Sequence, residues 1–551
     1  MKNFTFLAFI TFLLVTSFKV TAQIKPELAQ AQQITRCGTW EAIERRLQED
    51  PAFRNQWEQK QRDAANAQRG NQTARVSTLT GPVTIPVIVH VVLPNPSIIT
   101  EAQIDYLLNQ LNACYSGLNA DSTNGTLFYN VRGHSLIRFT RARRDPNGNL
   151  TNGVERKVGT VQITSNTYQP IKHTSQGGLD PWDITQYYNL WVGDAGTSGL
   201  LGIAPGIGVG GQTETTTSST GIDGICVDYR GFSNGCFSYG AFAQAKTVVH
   251  EIGHNFGLFH TFSGCTTGAD FAQLTPAGQT LPASLLASAD DTPNQSTSTS
   301  GCPSGTVASN CSGVANPPGK MYQNYLDYTD DACYSMFTKG QVARMEYVLE
   351  NYRPGYLTTL GAVPPASAPT VDIAPTAVVN PGGSEFNPST CSSITYATIT
   401  CPGTFAPKVT ITNNGVNAIT SFTAGLLVNG VAQTPQTFNG SLASGNTVNI
   451  TFGNVTVSNG TYVLKFFTSN ANGAGADQVP GNDTLTYIFT VGGSSNGPIV
   501  EPFTSTTFPP AGWRVINPDN GITWTRSATA GFSAAGSATI NLYNYNRTGE
   551  K

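Results

Sequence analysis

Residues 250–260 read HEIGHNFGLFH, and the spacing of the three histidines in this stretch decides what is built around it. At about 3.6 residues per turn, His250 and His254 stand one above the other on a single helical face, so both imidazoles can reach one ion. Gly257 has no Cβ and takes a positive φ at little cost; a turn there ends the helix and brings His260 back as a third ligand. Three imidazoles leave the fourth corner of a tetrahedral zinc open for water, which is the arrangement of a catalytic site rather than a structural one. Glu251, next to the first histidine, is placed to act as general base toward that water, whose pKa zinc lowers while it polarises a carbonyl. The full pattern H-E-x-x-H-x-x-G-x-x-H is matched at every fixed position, and an ordinary surface helix with three histidines needs neither the Glu nor the Gly. The expected chemistry is hydrolysis of peptide bonds. The other histidines, His90, His134 and His173, fit no ligand spacing and are expected to be structural.

Outward from the helix, the pattern is mixed. Residues 83–93 (VTIPVIVHVVL) form an apolar run of buried-strand type, and residues 101–118 follow as an amphipathic helix, with Ile104, Leu107, Leu108 and Leu111 on one face. Residues 187–192 (YYNLWV) read as a strand, and 200–205 (LLGIAP) as a short one ahead of a zinc helix that begins near Phe242. These elements predict an α+β catalytic domain, a mixed sheet plus the zinc helix, over residues 79–360. The short strand suits the rim of a cleft, where an extended substrate can add to the sheet through main-chain hydrogen bonds; Leu201 and Gly202 are its candidate substrate-binding residues. An ordinary internal strand is the alternative.

At 551 residues the chain is too long for one core, and three to four domains are expected. Lys2, the apolar stretch 4–18 and the small residues Val20-Thr21-Ala22 read as a signal peptide over residues 1–22, so export is expected. No later stretch runs 18 apolar residues, so no membrane span is expected. Residues 23–78 are richly charged, with helical character from 40 to 68 and a polar tail at 69–78 suited to proteolytic release: a propeptide. Residues 361–370 (GAVPPASAPT) form a linker, and from 371 to 491 short alternating strands recur between Asn/Gly turns, predicting an immunoglobulin-like β-sandwich. Residues 498–551, with FPPAGW and Trp524, resemble the opening of a jelly-roll domain too short to close. The 31 basic and 34 acidic residues leave a net charge of -3, with no basic stripe to suggest nucleic acid. Ten cysteines fit an oxidising compartment. Cys391 and Cys401 are close enough in sequence to close a local loop, Cys226 and Cys236 are a further candidate pair, and Cys114 falls on a helical face as a buried thiol.

Read together with residues 324–337 (NYLDYTDDACYSMF), the zinc helix makes the chain resemble the pappalysin-type metzincin zinc metalloproteases over roughly residues 30–350. In that family a tight Met-containing turn lies below the zinc; here Leu326 stands at the methionine position and Tyr328 keeps the tyrosine two residues on. Leu is close to Met in volume, so the apolar floor is expected to survive. The resemblance implies that Tyr328 ligates the metal or stabilises an oxyanion, and that Asp331 lies at the base of the pocket receiving the residue after the scissile bond. Cleavage before Arg or Lys is then favoured. It also implies disulfides Cys265–Cys311 and Cys302–Cys333, and structural calcium in the loop carrying Asp290, Asp291 and Thr292, whose oxygens are hard ligands. Cys37, in Arg36-Cys37-Gly38-Thr39, resembles the propeptide cysteine of some relatives; as a fourth ligand it displaces water and keeps the enzyme latent. The resulting expectation is a secreted zinc endopeptidase acting on proteins or peptides, made as a proenzyme, with β domains that bind matrix or cell-surface ligands. The alternative is an adhesive surface protein whose protease domain is weak or inactive.

Overall fold

The computed structural model describes residues 34–69, 78–205, 223–262, 265, 291–473, 475 and 477–492, and beyond these 503–510, 515, 523–529 and 536–540. The expected leader, residues 70–77 of the expected release segment, and Asp290 lie outside the described residues. A first compact unit runs to Thr398 and takes in Phe405–Val455 and Val463–Tyr487; a second takes in Ile399–Thr404, Thr456–Tyr462 and the described residues from Ile488 onward.

The first unit is organised on a seven-stranded sheet of β1 (Thr35–Cys37), β2 (Val83–Leu93), β3 (Ile137–Arg141), β4 (Val154–Val158), β5 (Tyr188–Gly193), β6 (Leu200–Ile203) and β7 (Ile225–Asp228). Its order is β1-β6-β7-β5-β2-β3, with β4 also on β2. Strand β2 is central because it is apolar on both faces: residues 85–93 are all buried, as strands covered from both sides must be. It pairs parallel with β5 along one edge, and with β3 and then β4 along the other. Only β6 runs against its neighbour β7.

The helices around this sheet include α1 (Thr39–Glu49), α2 (Pro51–Arg69), α3 (Glu101–Ser116) and the zinc helix, Lys246–Asn255; a four-residue turn of helix, Tyr229–Phe232, follows β7. Helix α3 starts at a capping box of Thr100 and Gln103 and stops at Gly117, whose φ is 70°. Its buried Ile104, Leu107 and Leu111 share one core with Val249, Ile252 and Phe256 of the zinc helix, which locks that helix against the sheet. The zinc helix begins four residues later than its sequence pattern suggests. Residues Gly240–Phe242 make a 3-10 turn, and Ala245 at φ 62° turns the chain before the first helical residue. Below it, the helix Lys339–Tyr352 presents Arg344, whose Nε donates to Gly257 O at 2.7 Å.

Beyond the linker, the strand Lys408–Asn413 lies between Ile373–Asn380 and Thr447–Thr451, all antiparallel. Its burial alternates residue by residue, with Val409 and Ile411 fully buried. A second sheet is built on Ile419–Val428, which pairs with Gln436–Leu442 and with residues 464–469. In the second unit, Thr525–Ser527 pairs antiparallel with Ser537–Thr539.

The cysteine chemistry departs from two sequence expectations. Cys391 pairs with Cys236 rather than with Cys401, joining the β-rich region to the loop ahead of the zinc helix, and Cys226 is a buried free thiol. The reason is topological: β7 carries Cys226 into the centre of the sheet, where it is 0% exposed and out of reach of a surface loop. Cys265 pairs with Cys311 and Cys302 with Cys333, while Cys114 and Cys37 are buried and free. Among the described residues, no helix is long and apolar enough to cross a membrane.

Candidate active site

The zinc helix stacks His250 and His254 one turn apart, and Gly257, at φ 93°, reverses the chain so that His260 returns to them. The three Nε2 atoms converge: His250 and His260 are 3.2 Å apart, and His254 is 3.0 Å from each. Ligands at ~2.0–2.1 Å from a tetrahedral zinc stand a little over 3 Å from one another, so this triangle fits the ion with small adjustments. The outer nitrogens fix the rings. His250 Nδ1 lies 2.6 Å from Tyr325 O and His254 Nδ1 2.8 Å from Leu258 O. A carbonyl only accepts, so Nδ1 carries the proton and Nε2 presents its lone pair inward. Burial holds all three imidazoles well toward the neutral, ligating form, with His254 lowered to about 4.

A fourth donor joins them. The Cys37 sulfur and the three imidazoles bring their ligand atoms within 4.8 Å of one another, all buried. Three nitrogens and one sulfur form a donor set that suits zinc. Cys37 is delivered by β1, which pairs in parallel with β6: Thr35 stands opposite Leu200 and Cys37 opposite Gly202. The rim strand carrying Leu201 and Gly202 is therefore covered along one edge by the segment 35–37 and backed by β7 along the other.

Glu251 is fully buried beside this cluster. Its Oε2 accepts from Thr39 Oγ1 at 2.8 Å and lies 3.6 Å from the Cys37 sulfur; Oε1 is buried with no hydrogen-bond partner among the described residues. Burial pushes the Glu251 carboxyl up to about 8 against the pull of Thr39 and Cys37. Gly202 is the residue that lets β6 run past it, since a Cβ there would stand 2.6 Å from Glu251 Cγ and 2.8 Å from Oε1.

Below the histidines, Leu326 is fully buried and reaches the helix at Gly253, where an added Cβ would lie 3.3 Å from its Cδ2. Tyr328 is half-buried, its ring centroid 4.9 Å from that of His260 and 5.9 Å from that of His250. Asp331 is buried and directs Oδ2 at the start of the zinc helix, accepting from Gln244 N at 2.9 Å and Lys246 N at 3.3 Å. Its carboxyl, raised to about 6 by burial, favourably faces the positive end of the helix dipole. It also lines a small pocket with Arg36, Leu201, Thr247, His250, Tyr328 and Tyr334. Asp291 lies farther off: Oδ2 accepts from Gly340 N at 2.8 Å, and Oδ1 is buried without a partner among the described residues. Thr292 is buried beside it.

Sequence reasoning did not single out Thr39, Asp330 or Phe242. Thr39 Oγ1 accepts from Ala204 N at 2.8 Å while donating to Glu251, so one hydroxyl ties α1 to both the rim and the general-base candidate. Arg36 Nη2 donates to Asp330 Oδ1 at 2.9 Å, Nη1 donates to Thr329 O, and the guanidinium lies 4.0 Å from the centre of the Phe242 ring. All three side chains of the tetrapeptide Arg36-Cys37-Gly38-Thr39 face the site.

Residues 175–350 match the family described as pregnancy-associated plasma protein-A. An extracellular metalloprotease of Pyricularia oryzae is 39% identical over 142 residues, 25% of this chain and 42% of that protein. The chain thus spans less than half the length of the curated relatives it first matches. Among solved structures, a promirolysin mutant from Tannerella forsythia shares 30% identity across 58% of this chain and 95% of its own, with a TM-score of 0.46. Mature mirolysin from the same organism, in complex with a cleaved peptide, shares 33% identity across 51% of this chain and 97% of its own, with a TM-score of 0.42. Through the domain that holds the three histidines, the chain belongs to the pappalysin-type metzincin metalloproteases.

Proposed function

We propose that this chain is a secreted zinc endopeptidase made as a latent proenzyme, with residues 23–78 as propeptide and 79–360 as catalytic domain. The observation that carries the reading is the convergence of three Nε2 atoms at 3.0–3.2 Å, with Glu251 next to the first and the Cys37 sulfur among them. His250, His254 and His260 would hold zinc, which supplies Lewis acidity and an activated water. Glu251 takes the proton of the attacking water and passes it to the leaving amine. Tyr328, whose ring flanks both His250 and His260, stabilises the charge that develops on the carbonyl oxygen. Leu201 and Gly202 offer main-chain groups to an extended substrate once the segment 35–37 has left β6. Cys37 enforces latency by occupying the coordination site that water needs.

A preference for cleavage before Arg or Lys follows from the acidic side chains at the pocket, Asp331 in its lining and Asp330 beside it. Calcium at Asp291 and Thr292, with Asp290, is supported by the unpartnered buried oxygen of Asp291. The alternating strands of residues 371–491 support an immunoglobulin-like sandwich, and residues 498–551 part of a jelly-roll-like domain; both are accessory modules for matrix or cell-surface ligands. The test is a peptide-library digest by processed enzyme and its Glu251→Ala variant, with zinc measured on both. Metal-dependent cleavage lost in the variant supports the reading, and equal turnover by the two proteins overturns it.

A further inference from the structure

We infer that Arg344 and Arg353, one within and one just beyond the helix Lys339–Tyr352, are positioning residues: they hold the turn that brings His260 back to His250 and His254. The inference rests on the proposed endopeptidase reading and extends it from the ligands to what aims the third of them.

A helix that ends leaves its last carbonyls without intrahelical donors. At the end of the zinc helix the chain meets three of them itself: Ile252 O accepts from Phe256 N at 2.9 Å, Gly253 O from Leu258 N at 3.0 Å, and His254 O from Gly257 N at 2.9 Å. That pattern needs the left-handed Gly257. Two further carbonyls of the turn go to arginine. Arg353 Nη2 donates to Asn255 O at 3.1 Å, and Arg344 Nε donates to Gly257 O at 2.7 Å. Both side chains lie where a cation complements the negative end of the helix dipole.

Each guanidinium is fixed from more than one side. Arg353 is bidentate to Asp223, and Asn255 closes the set by accepting from Arg353 Nη2 at 3.0 Å and donating to Asp223 Oδ1 at 2.9 Å. Arg344, 0% exposed, lies with its guanidinium carbon 5.1 Å from the centre of the Phe259 ring. It therefore touches residues 257 and 259, on either side of Leu258, whose carbonyl orients His254, and Phe259 immediately precedes His260. Gly257 is buried, so without the Nε donor its carbonyl is left unpaired, a cost the chain relieves by shifting the turn. His250 and His254 stand on the helix itself and keep their places; the third imidazole, beyond the turn, moves off.

The test measures zinc affinity of the full-length chain by chelator competition. Arg344→Met and Arg344→Gln reach equally far, but only Gln carries an N–H donor at the position of Nε. Arg344→Met should bind zinc at least ~10-fold more weakly than the unaltered chain, the scale of loss when support behind a metal ligand is removed, and Arg344→Gln should recover most of it. Arg344→Lys keeps the charge but puts a methylene at that position, and should also bind more weakly. Arg353→Met tests the second donor independently, with a loss of ~10-fold or more expected. Leu349→Ala, fully buried in the same helix, controls for general destabilisation: it should lower the melting temperature and leave zinc affinity within ~3-fold. With cobalt in place of zinc, the visible absorption of Arg344→Met should differ from that of the unaltered chain, and that of Leu349→Ala should not. Zinc affinity unchanged in Arg344→Met and Arg344→Lys, or lowered as far in Leu349→Ala as in either, overturns the assignment. An unaltered chain that binds no zinc would instead sink the endopeptidase reading.

Discussion

Removing one hydroxyl from the proposed propeptide tests how the proposed latency is held. Thr39 is 1% exposed, donates to Glu251 Oε2 and accepts from Ala204 N, both at 2.8 Å. Thr39→Val keeps the shape but takes the hydroxyl donor from a buried carboxyl oxygen, leaving it only the Cys37 sulfur, and leaves the buried Ala204 amide without its acceptor while the segment is docked. Each such loss costs about 1–3 kcal/mol, so the docked state is weakened by about 2 kcal/mol at the modest end. At 1.4 kcal/mol per decade, that raises the fraction of chains with an open cleft by roughly 25-fold. The assay is the initial rate at which freshly purified zymogen cleaves a fluorogenic peptide, normalised to processed enzyme and taken before any processed chain is visible on a gel. Cys37→Ala zymogen provides the comparison, since it loses the sulfur rather than the hydroxyl. If Thr39→Val zymogen is as silent as the unaltered chain while Cys37→Ala leaks, the reasoning about Thr39 is refuted and the sulfur alone holds the cleft shut.

Three further outcomes follow from the geometry. Glu251→Ala should abolish peptide cleavage yet retain one zinc per chain, measured by atomic absorption, because the three imidazoles are held by Tyr325, Leu258 and the turn at Gly257 rather than by Glu251. Leu326→Met should shift stability by less than ~1.5 kcal/mol, whereas Leu326→Ala, at a fully buried position, should cost about 2–5 kcal/mol in denaturant titration. Asp223 is paired with buried Arg353, whose charge holds the Asp223 carboxyl below its ordinary value despite burial. Its contribution is therefore present above the unfolded carboxyl pKa of about 4 and lost as pH falls through the lower folded value. Acid unfolding followed by fluorescence should show a shallower acid limb in Asp223→Asn, and Asp223→Ala should cost about 3–5 kcal/mol near neutrality. An unchanged acid limb would show that this pair does not govern acid stability.

The catalytic core was legible because its signals are local. Helical spacing gives His250 and His254, a glycine in the left-handed region gives His260, and an unbroken apolar run gives the central strand β2. What the sequence hid depends on chain segments far apart. Asp331 reads as a pocket residue, yet its carboxylate also accepts from the N–H of Lys246, the first residue of a helix 85 positions away. Thr39 and Asp330 carry no pattern of their own; their partners lie 212 and 294 positions off. The pairing of Cys236 with Cys391 was invisible for the same reason, since a separation of 155 residues has no sequence signature.

That long bridge alters what a nick in the chain can achieve. Residues 361–370, the Pro/Ala stretch, lie between the two bridged cysteines. A cut there frees both ends of the backbone but leaves the pieces covalently attached, as two bands on a reducing gel and one without reductant. Separating the two pieces then requires reduction of Cys236–Cys391 as well as the cut.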